Sequence, residues 1–527
     1  MSVTDKTLHT ADVDADARLR FFSARVTFVA LTSVLSLAIV GSFAHSLTQW
    51  TLVAIVALPL VLVNALWISG GAVTALLGLM QPRTDSKNPP DDYWSPAGQT
   101  AILLTVCGED PGPVADHVRQ LAGDLDRQNL SRETVRIFVL SDTRDVDAIE
   151  REARVFGDLI ASGRIAYRRR LHNAGRKPGN IADWLQAHGA TYDYMMVLDA
   201  DSRMSARRVR HMIWQLETRP RTGLIQAGIA LIPGRSGFGR HQRTSSRLLS
   251  SNFGKGFAAW SGRSGNYWGH NAIMRVAAFR AAAELPQLPG RAPFGGDLLS
   301  HDFVEAAWIR RAGWAVELDP DLAGSAEDAP QTLEAFHRRD RRWCQGNLQH
   351  LRLLAEPGVH PVSRFHLASG IFSYLAAPVW LILVGLISSG ALSLVGALPL
   401  ALVAAVLLLP KVCALADGLR RTKTFQRRKV VVRAWAIELG LSSLLAPLVM
   451  VRQAASVGSV LLGIDCGWKT GRLRKWRLPR GSVEAAVGLG FVALAIAMGN
   501  AAAFWLAPVV LPLLFAPFIV RALDAGA

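Results

Sequence analysis

The sequence predicts an α/β domain with a mostly parallel sheet, inserted between transmembrane helices. Long apolar runs are confined to the two ends of the chain. Between them, short apolar runs alternate with amphipathic stretches. The basic residues cluster beside the apolar runs, which reconciles a half-hydrophobic composition with a formal charge of +17. A chain of 527 residues has room for roughly two to four domain-sized units. The borders predicted here are a cytoplasmic tail at 1–25, two transmembrane helices in 26–82, a soluble domain at 83–365, a second membrane region at 366–522 with about four to six spans, and a short tail at 523–527.

The first span is "VTFVALTSVLSLAIVGSFAH" (26–45) and the second lies within 50–80. After the domain come 372–392 and 394–415, and near the end 483–502 and 504–520. Each approaches or exceeds the ~20 residues that cross a hydrocarbon core. The stretch 436–464 reads either as a hairpin of two spans or as one span followed by an interfacial segment. Basic stretches flank it, at 419–433 (Arg420, Arg421, Lys423, Arg427, Arg428, Lys429, Arg433) and at 469–480 (Lys469, Arg472, Arg474, Lys475, Arg477, Arg480). Cationic loops stay inside, so 436–464 should cross an even number of times or not at all. The uncharged link "SLTQ" (46–49) suits the outside, which puts the domain in the cytoplasm. The first span lacks a small-residue cleavage site and reads as an anchor.

The basic charge beside membrane spans is matched by anionic lipid headgroups, so nucleic acid is not the expected partner. Cys107, Cys344, Cys413 and Cys466 show no C-x-x-C spacing, so neither a disulfide framework nor a zinc site is implied.

In the domain, "AILLTVC" (101–107), "VRIFVLSD" (135–142), "RIAYRRR" (164–170), "YMMVLDAD" (194–201) and "GLIQAG" (223–228) read as strands. Amphipathic stretches near 113–127, 147–160, 178–189 and 205–217 separate them. Alternation of this kind means βαβ units and a parallel sheet. Ligands then bind at the carboxyl ends of the strands, where Asp142, Asp199 and Asp201 fall. Two acids flanking one residue hold a hard divalent cation through oxygen, or merely end a strand and cap the next helix. Lys177, in "RKPGN", stands beside a glycine turn and a helix start, a place for an anion or an ordinary turn. Asp302, in "LLSHDFVEAA", is either a helix cap or a general base. "RRDRRWCQGN" (338–347) sets arginines that suit a diphosphate beside Trp343, whose face suits a sugar ring.

Taken together, these residues resemble the processive family-2 glycosyltransferases, the group of cellulose and hyaluronan synthases. Their series is an Asp after the second strand, a D-x-D, a T-E-D-like acid and Q-x-x-R-W. Here it runs Asp142, "DAD" 199–201, "SHD" 300–302 and "RDRRW" 339–343, with "KPGN" 177–180 as well. Three departures stand out: "SHD" replaces T-E-D, Arg339 replaces the usual Gln, and only Glu109 remains of an early P-x-Y-N-E. "YRRR", "YWGHNAIMRV" (267–276) and "LLSHDFVEAA" resemble the glucans biosynthesis glucosyltransferase H branch, which builds the β-1,2-linked backbone of osmoregulated periplasmic glucans in Gram-negative bacteria.

The resemblance implies a GT-A fold and an inverting, UDP-glucose-dependent glucosyltransferase in the bacterial inner membrane. It implies Mg²⁺ or Mn²⁺, a growing glucan chain as acceptor and periplasmic glucan-processing partners. Asp142 would contact uridine. Asp199 and Asp201 would hold the nucleotide and its metal, Asp201 the more directly. Lys177 and Arg342 would face the diphosphate, and Asp302 would be the base. Trp343 would lie near the acceptor sugar, and Trp268, His270 and Asn271 would line its pocket. Another β-glycan synthase, or a transporter with an inactive domain of this type, are the competing expectations. The clear spans carry few ionisable residues, against a transporter.

Overall fold

A computed structural model describes residues 3–82, 94–163, 165–282, 284–467 and 479–526, with side chains from Arg20 onward except Ala502. The basic stretch 469–480 therefore lies outside the described residues, apart from its last two.

Helices α1 (Val3–Ser46) and α2 (Leu52–Met80) come first. Then β1 (Thr100–Val106), α3 (Pro111–Arg127), β2 (Val135–Ser141), α4 (Val146–Ala161), β3 (Ile165–Arg169), α5 (Arg176–His188) and β4 (Tyr194–Asp199) alternate. They are followed by β5 (Arg203–Met204), α6 (Ala206–Glu217), β6 (Thr222–Ala227), β7 (Ala230–Leu231), α7 (Gly237–Ser261), β8 (Ala272–Arg275) and α8 (Val276–Ala281). The domain finishes with α9 (His301–Arg311), β9 (Ala315–Asp319), β10 (Ser325–Glu327) and α10 (Leu333–Gln349). The chain ends in α11 (Pro361–Ser388), α12 (Leu398–Arg421), α13 (Phe425–Leu461), α14 (Ser482–Ala497), α15 (Ala507–Leu514) and α16 (Ala516–Asp524).

The main sheet has the order β3-β2-β1-β4-β8-β6-β9. Its strands are apolar on both faces because helices cover both, as a parallel sheet requires. On one face Val118 and Leu121 of α3, Phe156 of α4 and Ile213 of α6 pack against the strands. On the other, Trp184 of α5, Phe279 of α8 and Ile309 of α9 do so. Helix starts are fixed locally: Asp145 accepts from Ala148 N at 2.9 Å, and Ser205 accepts from Arg208 N at 3.2 Å. One strand breaks the parallel pattern. β8 runs antiparallel between β4 and β6, with Val197 opposite Ala272. That reversal delivers the residues before β8, Trp268 to Asn271, to the edge where β1, β2 and β4 end.

Among the described residues, five helical stretches, 20–46, 52–80, 361–388, 398–421 and 425–461, are long and apolar enough to cross a membrane, which makes this a multi-pass membrane protein. The α1–α2 and α11–α12 links meet at one end of the bundle, where Val395 N donates to Ser46 O at 2.8 Å. Three expectations need correction. First, 436–464 forms no hairpin: it belongs to one helix, α13, which also takes in much of the basic stretch 419–433. Leu445, Leu448 and Val451 pack with Phe238 and Leu333 and carry the helix through Pro447. Glu438 accepts from Ser245 of α7 at 3.0 Å, and Gln453 donates to Asp340 of α10 at 3.2 Å, so α13 is tied to the domain at two points along its length. Second, the expected span 483–502 is a helix of 16 residues, Ser482–Ala497, too short for a full crossing, while the expected span 504–520 is kept as an apolar pair bent by 49°, where Pro512 and Pro517 remove backbone donors. Third, 83–365 is not wholly a soluble unit, because α7 docks on the membrane helices. Gly78 of α2 and Gly256 of α7 cross so closely that a Cβ on either would lie within 2 Å of a facing carbonyl oxygen (1.9 and 1.8 Å). Asn252 donates to Ala75 O at 2.8 Å, and buried Lys255 meets Asp417 of α12 at 2.7 Å.

Candidate active site

The carboxyl ends of β1, β2 and β4 form one edge because the strands are parallel and in register, with Thr105 opposite Asp199 and Val106 opposite Ser141. Every acid of the series sits on or beside that edge. Asp142 directly follows β2 and is buried. Arg170, just past β3, grips it with two contacts of 2.8 Å, and Asn173 donates to its carbonyl at 2.6 Å. Sequence reasoning missed Arg170. The signal was there, since a residue ending β3 must neighbour one ending β2. Glu109 folds back to accept from Cys107 N, closing the loop beside Asp142.

Asp199 ends β4. It takes the ammonium of Lys177 and a hydroxyl from Thr105 at 3.2 Å. Burial pushes its carboxyl up, but Lys177 and His270 outweigh that and hold it down at about 2. Asp201 goes the other way. Burial, with Asp199, Glu327 and Asp328 nearby, pushes it up to about 6. His270 stands among these acids, with Nε2 3.1 Å from Glu327 Oε2. Burial disfavours its charge, yet Glu327 and Asp199 raise it to about 9. Glu327, on the three-residue strand β10, carried no sequence signal.

The donor set fits a hard divalent cation. Asp199 and Asp201 would supply oxygen ligands, and Asp201, its carboxyl raised first by burial and then by the neighbouring acids, would gain from a cation beside it. Among the described residues no third His, Cys, Asp or Glu completes a protein-only site. A two-carboxylate site of that kind suits Mg²⁺ or Mn²⁺ that shares substrate phosphates.

Asp302 lies in the first turn of α9 and accepts backbone N–H groups there. Burial raises its carboxyl above the usual range, partly opposed by His301 and reinforced by Glu305. Gly269 joins the two halves of the site. Its carbonyl accepts from Lys177 Nζ at 2.6 Å, and its α-carbon faces Asp302, where a Cβ would lie 3.6 Å from Oδ2.

The helix α10 approaches from the other side. Gly346 permits this, since a Cβ there would be 2.4 Å from Ser300 Oγ. Trp343 is 45% exposed, and the Arg339 guanidinium lies 4.6 Å over its ring. Burial lowers Arg342, next to it. Asp340 points away, to Tyr374 of α11 at 3.1 Å and Gln453 of α13 at 3.2 Å. Thus the arginine–tryptophan helix is tied to the membrane bundle. Of the three residues expected around the acceptor, Trp268 is partly exposed, and its backbone N donates to Gln226 at 2.9 Å. His270 faces the D-x-D cluster instead. Asn271 is fully buried at φ 50°, with its amide on Ser325 at 3.0 Å and Ala326 O at 3.2 Å, a brace between β8 and β10 rather than a pocket wall.

Fold and site together define a membrane-associated glycosyltransferase of the GT-A type. Residues 194–410 match the model described as glycosyl transferase family group 2. The chain belongs to the family of glucans biosynthesis glucosyltransferase H. It is 38% identical over 498 residues to the member from Bradyrhizobium diazoefficiens, covering 87% of this chain and 66% of that one. It is 37% identical over 499 residues to the member from Cereibacter sphaeroides, covering 88% and 83%. The chain thus spans about two thirds of the first relative's length. Among solved structures, a mannosyltransferase from Pyrobaculum calidifontis in complex with GDP-Man and Mn²⁺ is similar at 14% identity and TM-score 0.45, covering 78% of this chain and 99% of that one.

Proposed function

We propose that this protein transfers glucose from UDP-glucose to a growing glucan with inversion, building the β-1,2-linked backbone of osmoregulated periplasmic glucans. The observation that carries the reading is the hub at Gly269, which sets Lys177 and Asp199 on one side and Asp302 on the other. A diphosphate holder and a raised carboxylate are thereby adjacent, as one displacement needs.

In this reading Asp142, its two oxygens fixed by Arg170, keeps lone pairs free for the uracil N–H. Lys177 and Arg342 offset charge developing on the departing UDP. Asp302 takes the proton of the acceptor hydroxyl as that oxygen attacks from the face opposite the α-linked UDP, and the product is β-linked. Its raised affinity for protons suits that task. Trp343 offers a ring face to the acceptor sugar. A divalent cation, when bound to Asp199 and Asp201, supplies further neutralisation of the diphosphate. The domain faces the cytoplasm of a bacterial inner membrane. The ties from Asp340 to α11 and α13 support a path along which the bundle receives the chain for export.

The test is incorporation from labelled UDP-glucose by the full-length protein in lipid, followed by linkage analysis. A β-1,2-glucan supports the proposal. Incorporation only from another sugar nucleotide, or a different linkage, replaces the substrate while keeping the mechanism.

A further inference from the structure

Behind the loop that leads to Asp302 lies a pocket of about 280 Å³, lined by Arg176, Asp297, Leu299, Gln345, Gln349 and Asp465 among others. Two glutamines one helical turn apart on α10 build it. Gln349 accepts from Leu299 N at 3.0 Å and donates to Asp297 O at 3.3 Å, fixing the wall that runs on to Asp302. Gln345, almost fully buried, donates to Asp465 Oδ1 at 2.7 Å and accepts from Cys466 N at 2.8 Å, fixing the opposite wall. Arg176 closes the third side. It is the residue before Lys177, has φ 53° and lies 3.9 Å from Asp297.

The lining selects the ligand. Among the described lining residues, two carboxylates face one guanidinium and none is aromatic. Carboxylates and carboxamides around a space of this size suit vicinal hydroxyls. Leu299 is only three residues before Asp302, and Arg176 adjoins Lys177. Asp302 and Lys177 are themselves outside the lining, so the pocket is joined to them through the backbone at Leu299 and Arg176.

We propose that this pocket is a subsite for a hexose unit of the acceptor glucan, held by Asp297 and Asp465. The inference rests on the glucan-transferring reading above. It gives the site an acceptor grip distinct from Trp343 and predicts that chain elongation depends on side chains outside the motif series.

The experiment uses the full-length protein in lipid nanodiscs, with sophorose and longer linear β-1,2-gluco-oligosaccharides as probes and UDP as control. Binding is read by saturation-transfer NMR and transfer by acceptor KM. Asp297→Ala, at a partly exposed position, and Asp465→Ala, at an exposed one, should each weaken oligosaccharide binding by about tenfold, as expected for loss of a hydrogen bond to a charged group. The Kd for UDP should stay as in the unaltered protein. Unchanged acceptor KM and oligosaccharide binding in both variants overturn the subsite. Saccharide binding that is lost in the variants of a protein without transfer from any donor keeps the subsite and overturns the catalytic reading. A change in UDP binding of the same size overturns it too, since the pocket then serves the donor.

Discussion

Gly269 lies against Asp302, so close that a Cβ on the glycine would sit 3.6 Å from the carboxylate, and Gly269 itself adopts φ 89°. The carbonyl of the same residue holds Lys177. One residue thus sets the spacing between Asp302 and Lys177, the proposed proton acceptor and diphosphate holder. Gly269→Val should lower kcat for sugar transfer by tenfold or more, in the range of about 10² that a 1 Å misplacement costs. Single-turnover kinetics with UDP binding measured in parallel would show it. Wild-type kcat in a folded Gly269→Val protein would contradict this role.

Asp302→Asn keeps the size of the side chain and the helix start but removes the base. Transfer should fall by about 10²–10⁴-fold. The UDP Kd, measured by calorimetry, should not move, because the proposed role of Asp302 is toward the acceptor hydroxyl and not the nucleotide.

The raised Asp302 sets a pH dependence. A base whose proton affinity is raised becomes protonated at a higher pH than an ordinary carboxylate. Activity is therefore present above the raised pKa and lost as pH falls through it. The acid limb of kcat/KM should lie above the usual Asp value of about 4. An acid limb at or below that value would separate Asp302 from the proton transfer.

Stability should depend on pH through His350. It is fully buried, its Nε2 lies 2.9 Å from Ser300 O, and burial pushes it down to about 4. The unfolded chain takes up this proton near 6.5 and the folded one only near 4. Stability is therefore complete above 6.5 and falls as pH drops towards 4, by at most about 3 kcal/mol. His350→Gln should flatten the slope of Tm against pH between 6.5 and 4.5.

The crossing of α2 and α7 should tolerate no side chain. Gly256→Val places carbon against Thr74 O, and overpacking of this kind costs roughly 1–3 kcal/mol. The Tm of the detergent-solubilised protein should drop, whereas Gly123→Ala, inside α3 with open space around it, should hold or raise Tm.

The sheet and its acids were legible in the sequence because each depends on local chemistry. A buried parallel strand such as β4 is a continuous apolar run, and an acid that ends it lies at the ligand edge whatever the rest of the chain does. What escaped depends on distant partners. α7 is rich in serine and arginine, and its place against the bundle rests on Gly78 of α2 and Asp417 of α12, far away in sequence. Glu327 belongs to a strand of three residues that exists only by pairing with β5 and β7. α13 stays one helix through Pro447 because α10 and α7 pack along it, which no local pattern records.

The most direct test is incorporation from labelled UDP-glucose, with Mg²⁺ or Mn²⁺, by the purified protein and by Asp302→Asn side by side. The account predicts a β-linked glucan from the first and almost none from the second, with equal UDP binding in both. Equal incorporation by the two proteins would contradict it.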